Sequence, residues 1–449
     1  VSVAIGELAD GLDIYLDRVP VKYSGLNSTE LAISESQERM SVVVAPEDAE
    51  RFKEYCRSEN VEVTHVADVT DTRRMRMYNG GRLVVDLKRS FIDSAGARHY
   101  AKACIGAVED IDPFRREVAG ESLKDKLNNN LKDPNVVSQK GLIEMFDSTI
   151  GRSTVLMPYG GELQLTETQV SVQKLPTDGY TDTASIMAFG FNPVISKWSP
   201  YHGAAYSMVE ACAKVVAAGG HYEKMRFSCQ EYFERMTHDP KVWGKPMSAL
   251  LGSLKMQIEL GLPSIGGKDS MSGTFEHINV PPTLISFGIT TVDANKVISP
   301  ELKWEGNQLY LIKHTPRADR MPDVDQLKKN WAYVTEQIEA GNIVSAWAVG
   351  FGGVAEALCK MSFGNAFGVD VKIPENELFD YSYGSIVVES EGSLDFENAE
   401  YLGLVTSGVD DCLRINAKNI PMSDLVESAF AGYERVYPAT SKPVMKRLL

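Results

Sequence analysis

Apolar and polar positions fall into two rhythms that recur, in the same order, near the two ends of the chain. VSVAIGELADGLDIYLDRVP reads as a helix followed by an alternating strand that ends at Pro20. VAEALCKMSFGNAFGVDVKIP reads the same way and ends at Pro374. A short turn and an apolar strand follow each, one containing Val42 to Val44 and the other Ile386 to Val388. Third strands are expected in VTHVADV and YLGLVTS. The shared order, at a separation of about 350 residues, predicts an internal duplication over chance likeness of amphipathic segments. Gly352 and Gly353 precede the second copy, whereas the first begins where such glycines belong. Val1 is therefore expected not to be a natural terminus, and KPVMKRLL reads as the approach to a further segment.

A different pattern lies between the copies. ESLKDKLNNNLKDPN and QKGLIEMFDST predict helices, and STVLMP predicts a strand. Ser199 and Pro200 supply an N-cap and first-turn pair for a helix through Ala211 that stops at Gly219-Gly220. Another helix is expected from Pro246 to Leu260, closed by Gly261, and TLISFGITTVD is a buried strand by its β-branched content. The fold class is α+β, in lobes spanning 1–102, 103–295 and 296–449, the first and third of one kind.

Composition narrows the chemistry. The chain has 449 residues, 43% hydrophobic and 24% charged, with a net charge of −15. That balance argues against nucleic-acid and anionic-membrane partners, which need clustered Lys and Arg. Phosphorylated small molecules fit only where Mg²⁺, local cations or backbone N–H groups offset the repulsion. No apolar run reaches the roughly 18 residues of a membrane-spanning helix, and the N-terminal stretch does not read as a signal peptide. Six scattered cysteines read as reduced thiols of a cytoplasmic protein, and seven isolated histidines give no metal-site spacing.

The richest segment runs from Ser264 to Gly273. Its paired glycines let backbone N–H groups approach phosphate, while Lys268, Asp269 and Ser270 supply charge, metal ligation and a hydroxyl. It is not a Walker A loop, because Leu262 and Asp269 stand where Gly and Ser or Thr belong. The same composition serves an ordinary turn, and the residues alone leave both readings open. Gly350 to Ala355 fits GxGxxA after an apolar strand, but the strand series that follows does not read as a dinucleotide-binding βαβ run. Glu35 to Arg39 is a polar interruption that reads first as a solvated edge, and Glu210 with Lys214 reads first as a helical salt pair. Asp178, in Pro176-Thr177-Asp178-Gly179, reads first as a turn residue.

Taken together, IGGKDSMSGTF, SESQERM, SQKGL with FDSTIG, and FNPVISKWSPYHGA resemble the phosphoribosylformylglycinamidine synthase family, in its large single-chain type. The resemblance implies duplicated aminoimidazole ribonucleotide synthetase-like lobes in the order N, C, N, C. This chain would hold the last three, the first of them cut short: C-lobe, α/β N-lobe with a mixed sheet, and C-lobe. It also implies an ATP-dependent ligase of purine biosynthesis. The amide oxygen of formylglycinamide ribonucleotide is phosphorylated, and ammonia from glutamine displaces the phosphate, with Mg²⁺ offsetting charge on the nucleotide (ATP or ADP).

Carried over by position, Glu35, Ser36, Gln37 and Ser270 would contact the ribonucleotide, and Gly267, Lys268 and Thr177 the nucleotide. Asp178, Glu210 and Asp269 would hold Mg²⁺. Asp178 and Glu210 belong to an auxiliary nucleotide site at which Lys214, Ala348 and Gly350 replace an Asn, an Asp and a Ser of the family. The catalytic histidine is expected outside this chain, as are an N-terminal synthetase segment and a glutaminase segment as partners. A dimer through the N-lobe is compatible with this plan. Selenophosphate synthetase and thiamine-phosphate kinase are disfavoured because they lack ESQERM. A non-catalytic, nucleotide-stabilised scaffold of the same superfamily is the competing reading.

Overall fold

The computed structural model describes residues 1–34, 39–94, 100–407, 412–434 and 436–439. These divide into two units, 1–100 and 101–449. In the first, strand β1 (Leu12–Tyr15) is followed by helices α1 (Ser28–Ile33) and α2 (Ala49–Ser58). Strands β2 (Ala67–Val69), β3 (Arg74–Asn79) and β4 (Arg82–Lys88) and helix α3 (Arg89–Ser94) complete it. The sheet order is β2-β1-β3-β4, with only β1 and β3 parallel. Its core is Leu12, Ile14, Leu16, Met75 and Met77, the inward alternation of β1 and β3.

The second unit opens with helices α4 (Leu123–Leu131) and α5 (Lys140–Ile143) and the short strands β5 (Tyr159–Gly160) and β6 (Thr166–Glu167). Strands β7 (Ser171–Lys174) and β8 (Thr183–Gly190) lead to helices α6 (Pro193–Trp198) and α7 (Pro200–Ala217). Then come β9 (Arg226–Tyr232), α8 (Pro240–Leu260), β10 (Ser264–Lys268), the hairpin β11 (Thr274–Phe275) and β12 (Ile278–Asn279), and β13 (Thr283–Asp293). Together they form a five-stranded sheet in the order β10-β9-β13-β8-β7, with β10 at one edge. Helix α7 is almost wholly buried, because Ala, Val, Met and Cys cover nearly its whole circumference, and its residues share one core with Ala184, Ile186 and Ala188 of β8.

The remainder comprises β14 (Gln308–Ile312), α9 (Val324–Glu339), β15 (Ile343–Ala348), α10 (Gly353–Phe363) and β16 (Gly368–Val371). It ends with β17 (Ile386–Ser390), β18 (Ala399–Thr406), β19 (Cys412–Ile415), β20 (Lys418–Pro421) and α11 (Met422–Glu434). The sheet order is β15-β17-β14-β18-β16-β19-β20. Its half β18-β16-β19-β20 repeats β2-β1-β3-β4 strand for strand. In each the second strand is antiparallel to the first and parallel to the third, and a helix follows the fourth. The expected duplication is thus present in the topology.

Four local expectations are corrected. Val42 to Val44 form no strand and are exposed, with α1 standing before them instead. STVLMP contributes only an isolated bridge, Thr154 to Gln173. Residues 1–10 form helical turns, such as Ile5 N–H to Val1 O, without becoming a regular helix. Helix α8 starts at Pro240, capped by Asp239, so Pro246 lies inside it. The GxGxxA segment does not make a dinucleotide fold, because β15 and β16 are not neighbours and β15 pairs antiparallel with β17.

Several buried charges in this unit are compensated by their packing partners. Lys360 Nζ lies 2.6 Å from Glu167, 2.9 Å from Glu356 and 2.6 Å from Val136 O, which ties α10 to β6. His314 is buried and neutral: Nε2 accepts from Asp323 N–H at 3.1 Å, and Nδ1 donates to Tyr383 O at 2.8 Å. Burial pulls its imidazole down to about 4. Because the folded state resists a proton that the unfolded chain takes up near its ordinary value, stability is full above about pH 6.5 and falls as pH drops toward 4. Unfolding free energies should show a loss of about 3 kcal/mol between neutral pH and about pH 4 that is absent from His314→Gln.

Candidate functional site

Residues 264–268 are a strand and not the free loop that their glycines first indicate. Strand β10 runs parallel to β9, pairing Gly266 with Ser228, Gly267 with Cys229 and Lys268 with Gln230, with an irregularity at Ile265. Gly267 is required sterically, since a Cβ there would lie 2.6 Å from Cys229 O. Beyond the strand the chain stays knitted to β9. Ser270 N–H donates to Glu231 O at 3.0 Å, and Phe233 N–H returns a bond to Ser270 O at 2.9 Å.

Beside this edge lies an open groove of about 550 Å³ between α8 and the β9–β10 pair. Leu250, Leu254 and Leu284 form its apolar side, and Glu231, Lys268 and Asp269 its polar side. Gln257 Oε1 accepts from Ser264 N–H at 2.8 Å, fixing the helix to the start of the strand. Glu231 is only 7% exposed, and its Oε1 has no hydrogen-bond partner among the described residues. Burial first, and then the neighbouring Asp269, push its carboxyl up to about 7. Sequence reading missed Glu231. The signal was there in FSCQEYF, where Phe227, Glu231 and Phe233 share the buried phase of one alternating strand.

The groove brings together Gly267, Lys268 and Asp269, with Ser270 next in the chain. The other candidates lie elsewhere. Thr177 and Asp178 sit in the exposed connection from β7 to β8, where Gly179 takes φ 112°. Glu210 is buried on α7: Oε2 accepts Phe191 N–H at 2.8 Å, and Oε1 pairs with Lys214 at 2.8 Å. Phe191 follows the far end of β8, so the two connections are separated by that strand, roughly 23 Å at about 3.3 Å per residue. Lys214 also donates to Phe189 O at 2.9 Å and lies over the Phe189 ring. Glu210 and Glu356 both face Gly350, whose absent Cβ would be 3.8 and 3.9 Å from their oxygens. Buried Ala348 exchanges two hydrogen bonds with the Gln169 amide. Glu35, Ser36 and Gln37 lie outside the described residues. No group of three or more His, Cys, Asp or Glu side chains converges as a metal site among the described residues.

Residues 1–79 match the family model of the AIR synthase related protein, C-terminal domain. The phosphoribosylformylglycinamidine synthase subunit PurL of Thermoplasma acidophilum is 24% identical over 414 residues, 84% of this chain and 52% of its own length. Its counterpart in Aquifex aeolicus is 26% identical over 87% of this chain and 56% of its own. The solved structure of T. maritima PurL complexed with ATP superposes with a TM-score of 0.56 at 20% identity, covering 90% of this chain and 60% of that one. The relatives of this chain are phosphoribosylformylglycinamidine synthase subunits.

Its fold is the PurL fold, and it spans about half the length of the curated PurL relatives it matches. Both carboxylate oxygens of Glu210 are engaged, one by Phe191 N–H and the other by the Lys214 ammonium. Calorimetric titration with Mg²⁺–ADP should therefore show no Glu210-dependent binding tighter than about millimolar. Binding tighter than about 1 μM that Glu210→Ala abolishes would instead give Lys214 the place of a metal.

Proposed function

We propose that this chain carries the latter part of a phosphoribosylformylglycinamidine synthase core. Its reaction would be the ATP-dependent conversion of formylglycinamide ribonucleotide and glutamine-derived ammonia into formylglycinamidine ribonucleotide. The similarity to PurL subunits over most of the chain carries the reading, and the groove supports it chemically. In an acidic protein, the exposed backbone edge at Gly266 and Gly267 and the Lys268 ammonium are the features that a phosphate needs. Asp269, an exposed hard-oxygen donor on the same groove, fits Mg²⁺, which when bound offsets charge on nucleotide phosphates. Ser270 would contact the ribonucleotide, and Glu35, Ser36 and Gln37 are carried as ribonucleotide contacts by the sequence resemblance alone. Glu210 would mark the auxiliary nucleotide site, with Lys214 neutralising it in place of a cation, whereas Thr177 and Asp178, a strand length away, would not share that site.

The lobes 1–102, 103–295 and 296–449 fit this reading, in which the missing synthetase and glutaminase segments complete the enzyme. The open face of the five-stranded sheet is the surface for such a partner. Met187 and Phe189 of β8 and Ile289 of β13 are 42%, 53% and 42% exposed there, opposite the face that α7 covers. A second N-lobe, from the preceding segment or another copy of this chain, would bury them. Among the described residues no helix is long and apolar enough to cross a membrane.

Phosphate release tests the proposal. The full-length polypeptide carrying this sequence should release phosphate only with ATP, ammonia and formylglycinamide ribonucleotide together, and the 449-residue chain alone should release none. A full-length polypeptide without ribonucleotide-dependent release contradicts the reading. Turnover by the chain alone contradicts its dependence on further segments.

A further inference from the structure

We propose that the outer face of helix α8 is a docking seam for the same helix of a second copy of this chain, packed antiparallel about a two-fold axis. Met247, Leu250, Leu251, Leu254 and Ile258 are between 41% and 71% exposed. At about 100° per residue they fall on a single stripe roughly 100° wide. The opposite side of the helix is already buried, through Ala249, Gly252, Ser253, Met256 and Leu260. Helix α8 is therefore apolar on two opposed sides, a composition that belongs to an interior helix. Helix α9 shows the ordinary arrangement, since its exposed positions, Asp325, Lys329, Glu336 and Glu339, are all charged. The core of the second unit uses one side of α8 and leaves the other unused.

Spacing, charge and area together select a second copy as the occupant. Met247, Leu251, Leu254 and Ile258 are separated by four, three and four residues, the rhythm of a coiled-coil seam. That rhythm reads the same in both directions. Antiparallel pairing about an axis between Leu251 and Leu254 sets Met247 against Ile258 of the other copy, and Leu251 against its Leu254. One surface thus serves as its own complement. The chain carries a net charge of −15, so two copies repel over most of their surface. The stripe itself holds no ionisable group, and the charges beside it, Lys255 and Glu259, are paired with each other at 2.6 Å. A basic partner would find its acids elsewhere on the chain. Five large side chains a copy fall short of the roughly 20–30 residues a side of a standard interface, so the association is weak and reversible.

The seam is distinct from the open face of the five-stranded sheet. Ala249 of α8 packs with Ala204 of α7 and Leu284 of β13, on the side of the sheet that α7 covers. Leu250 and Leu254 also line the groove beside β10, so the helix of the second copy would stand at the mouth of that groove. The seam rests on packing and not on the ligase reading, and failure of either leaves the other standing.

Sedimentation of the 449-residue chain from about 1 to about 500 μM tests the seam. A monomer–dimer equilibrium with a dissociation constant of about 10–100 μM is expected. It should tighten as NaCl rises from about 50 to about 500 mM, because screening weakens the repulsion between like-charged copies. Leu251→Glu and Leu254→Lys should each weaken the dimer by about tenfold or more. Both positions are exposed, so the melting temperature of the monomer should not change. Combined in one chain, the two substitutions should restore the dimer, since the antiparallel register sets the introduced acid of each copy against the introduced base of the other. Parallel pairing would set acid against acid and give no rescue. A chain still monomeric at about 500 μM overturns the seam, as does a dimer that rising salt dissolves or that neither single substitution weakens. A dimer lost in Phe189→Glu and kept in Leu251→Glu also overturns it, by placing the contact on the open sheet face.

Discussion

The parallel pairing of β10 onto β9 is the constraint on which the site depends. Gly267 permits it, because any side chain there would collide with Cys229 O. Once the pair forms, Lys268 is held at the sheet edge, Asp269 falls beside Glu231, and Ser270 is fixed by two backbone bonds to β9. Helix α8 then closes the other wall, anchored through Gln257 to Ser264. A groove with one apolar side and one charged side results from a five-residue strand and its glycine.

Compensation of buried charge separates scaffold from chemistry in this molecule. In the Lys360 cluster and the Lys214–Glu210 pair each charge is answered by an opposite charge or a backbone dipole, although Glu167 keeps Oε1 without a hydrogen-bond partner among the described residues. Such pairs serve packing. Glu231 and Asp269 are answered by neither, and they face solvent-accessible space. The same criterion explains why Glu210, a metal candidate by position in the family, behaves structurally as the partner of a lysine.

Much of the fold was legible because local signals agreed with tertiary demands. Ser199 caps α7 by accepting His202 N–H, Pro200 opens it, and Gly261 closes α8 at φ 76°, as their residue types require. The duplication was readable as an order of elements and reappears as strand order. Errors arose where periodicity lacked a partner. Val42 to Val44 alternate like a strand but have no strand to pair with, and STVLMP reaches only one bridge. Pro246 resembled a helix start because the stronger pair, Asp239 and Pro240, stood seven and six residues earlier. For the site, Gly267, Lys268 and Asp269 were visible as a motif, but Glu231 was not, since only the β9–β10 register brings it to Asp269. Lys214's capture of Glu210 was visible as an i,i+4 pair.

The central claim is that the Gly-Gly-Lys-Asp-Ser segment is a wall of a reacting site and not merely a turn. Replacing Asp269 by Asn in the full-length polypeptide, with turnover and melting temperature measured on one preparation, tests it most directly. The substitution keeps shape and removes one negative charge from an exposed position. Turnover should fall by about 10²-fold or more, as for other positioned electrostatic groups, with the melting temperature unchanged. Turnover within a factor of a few of the parent would contradict the account and return the segment to ordinary edge-strand chemistry.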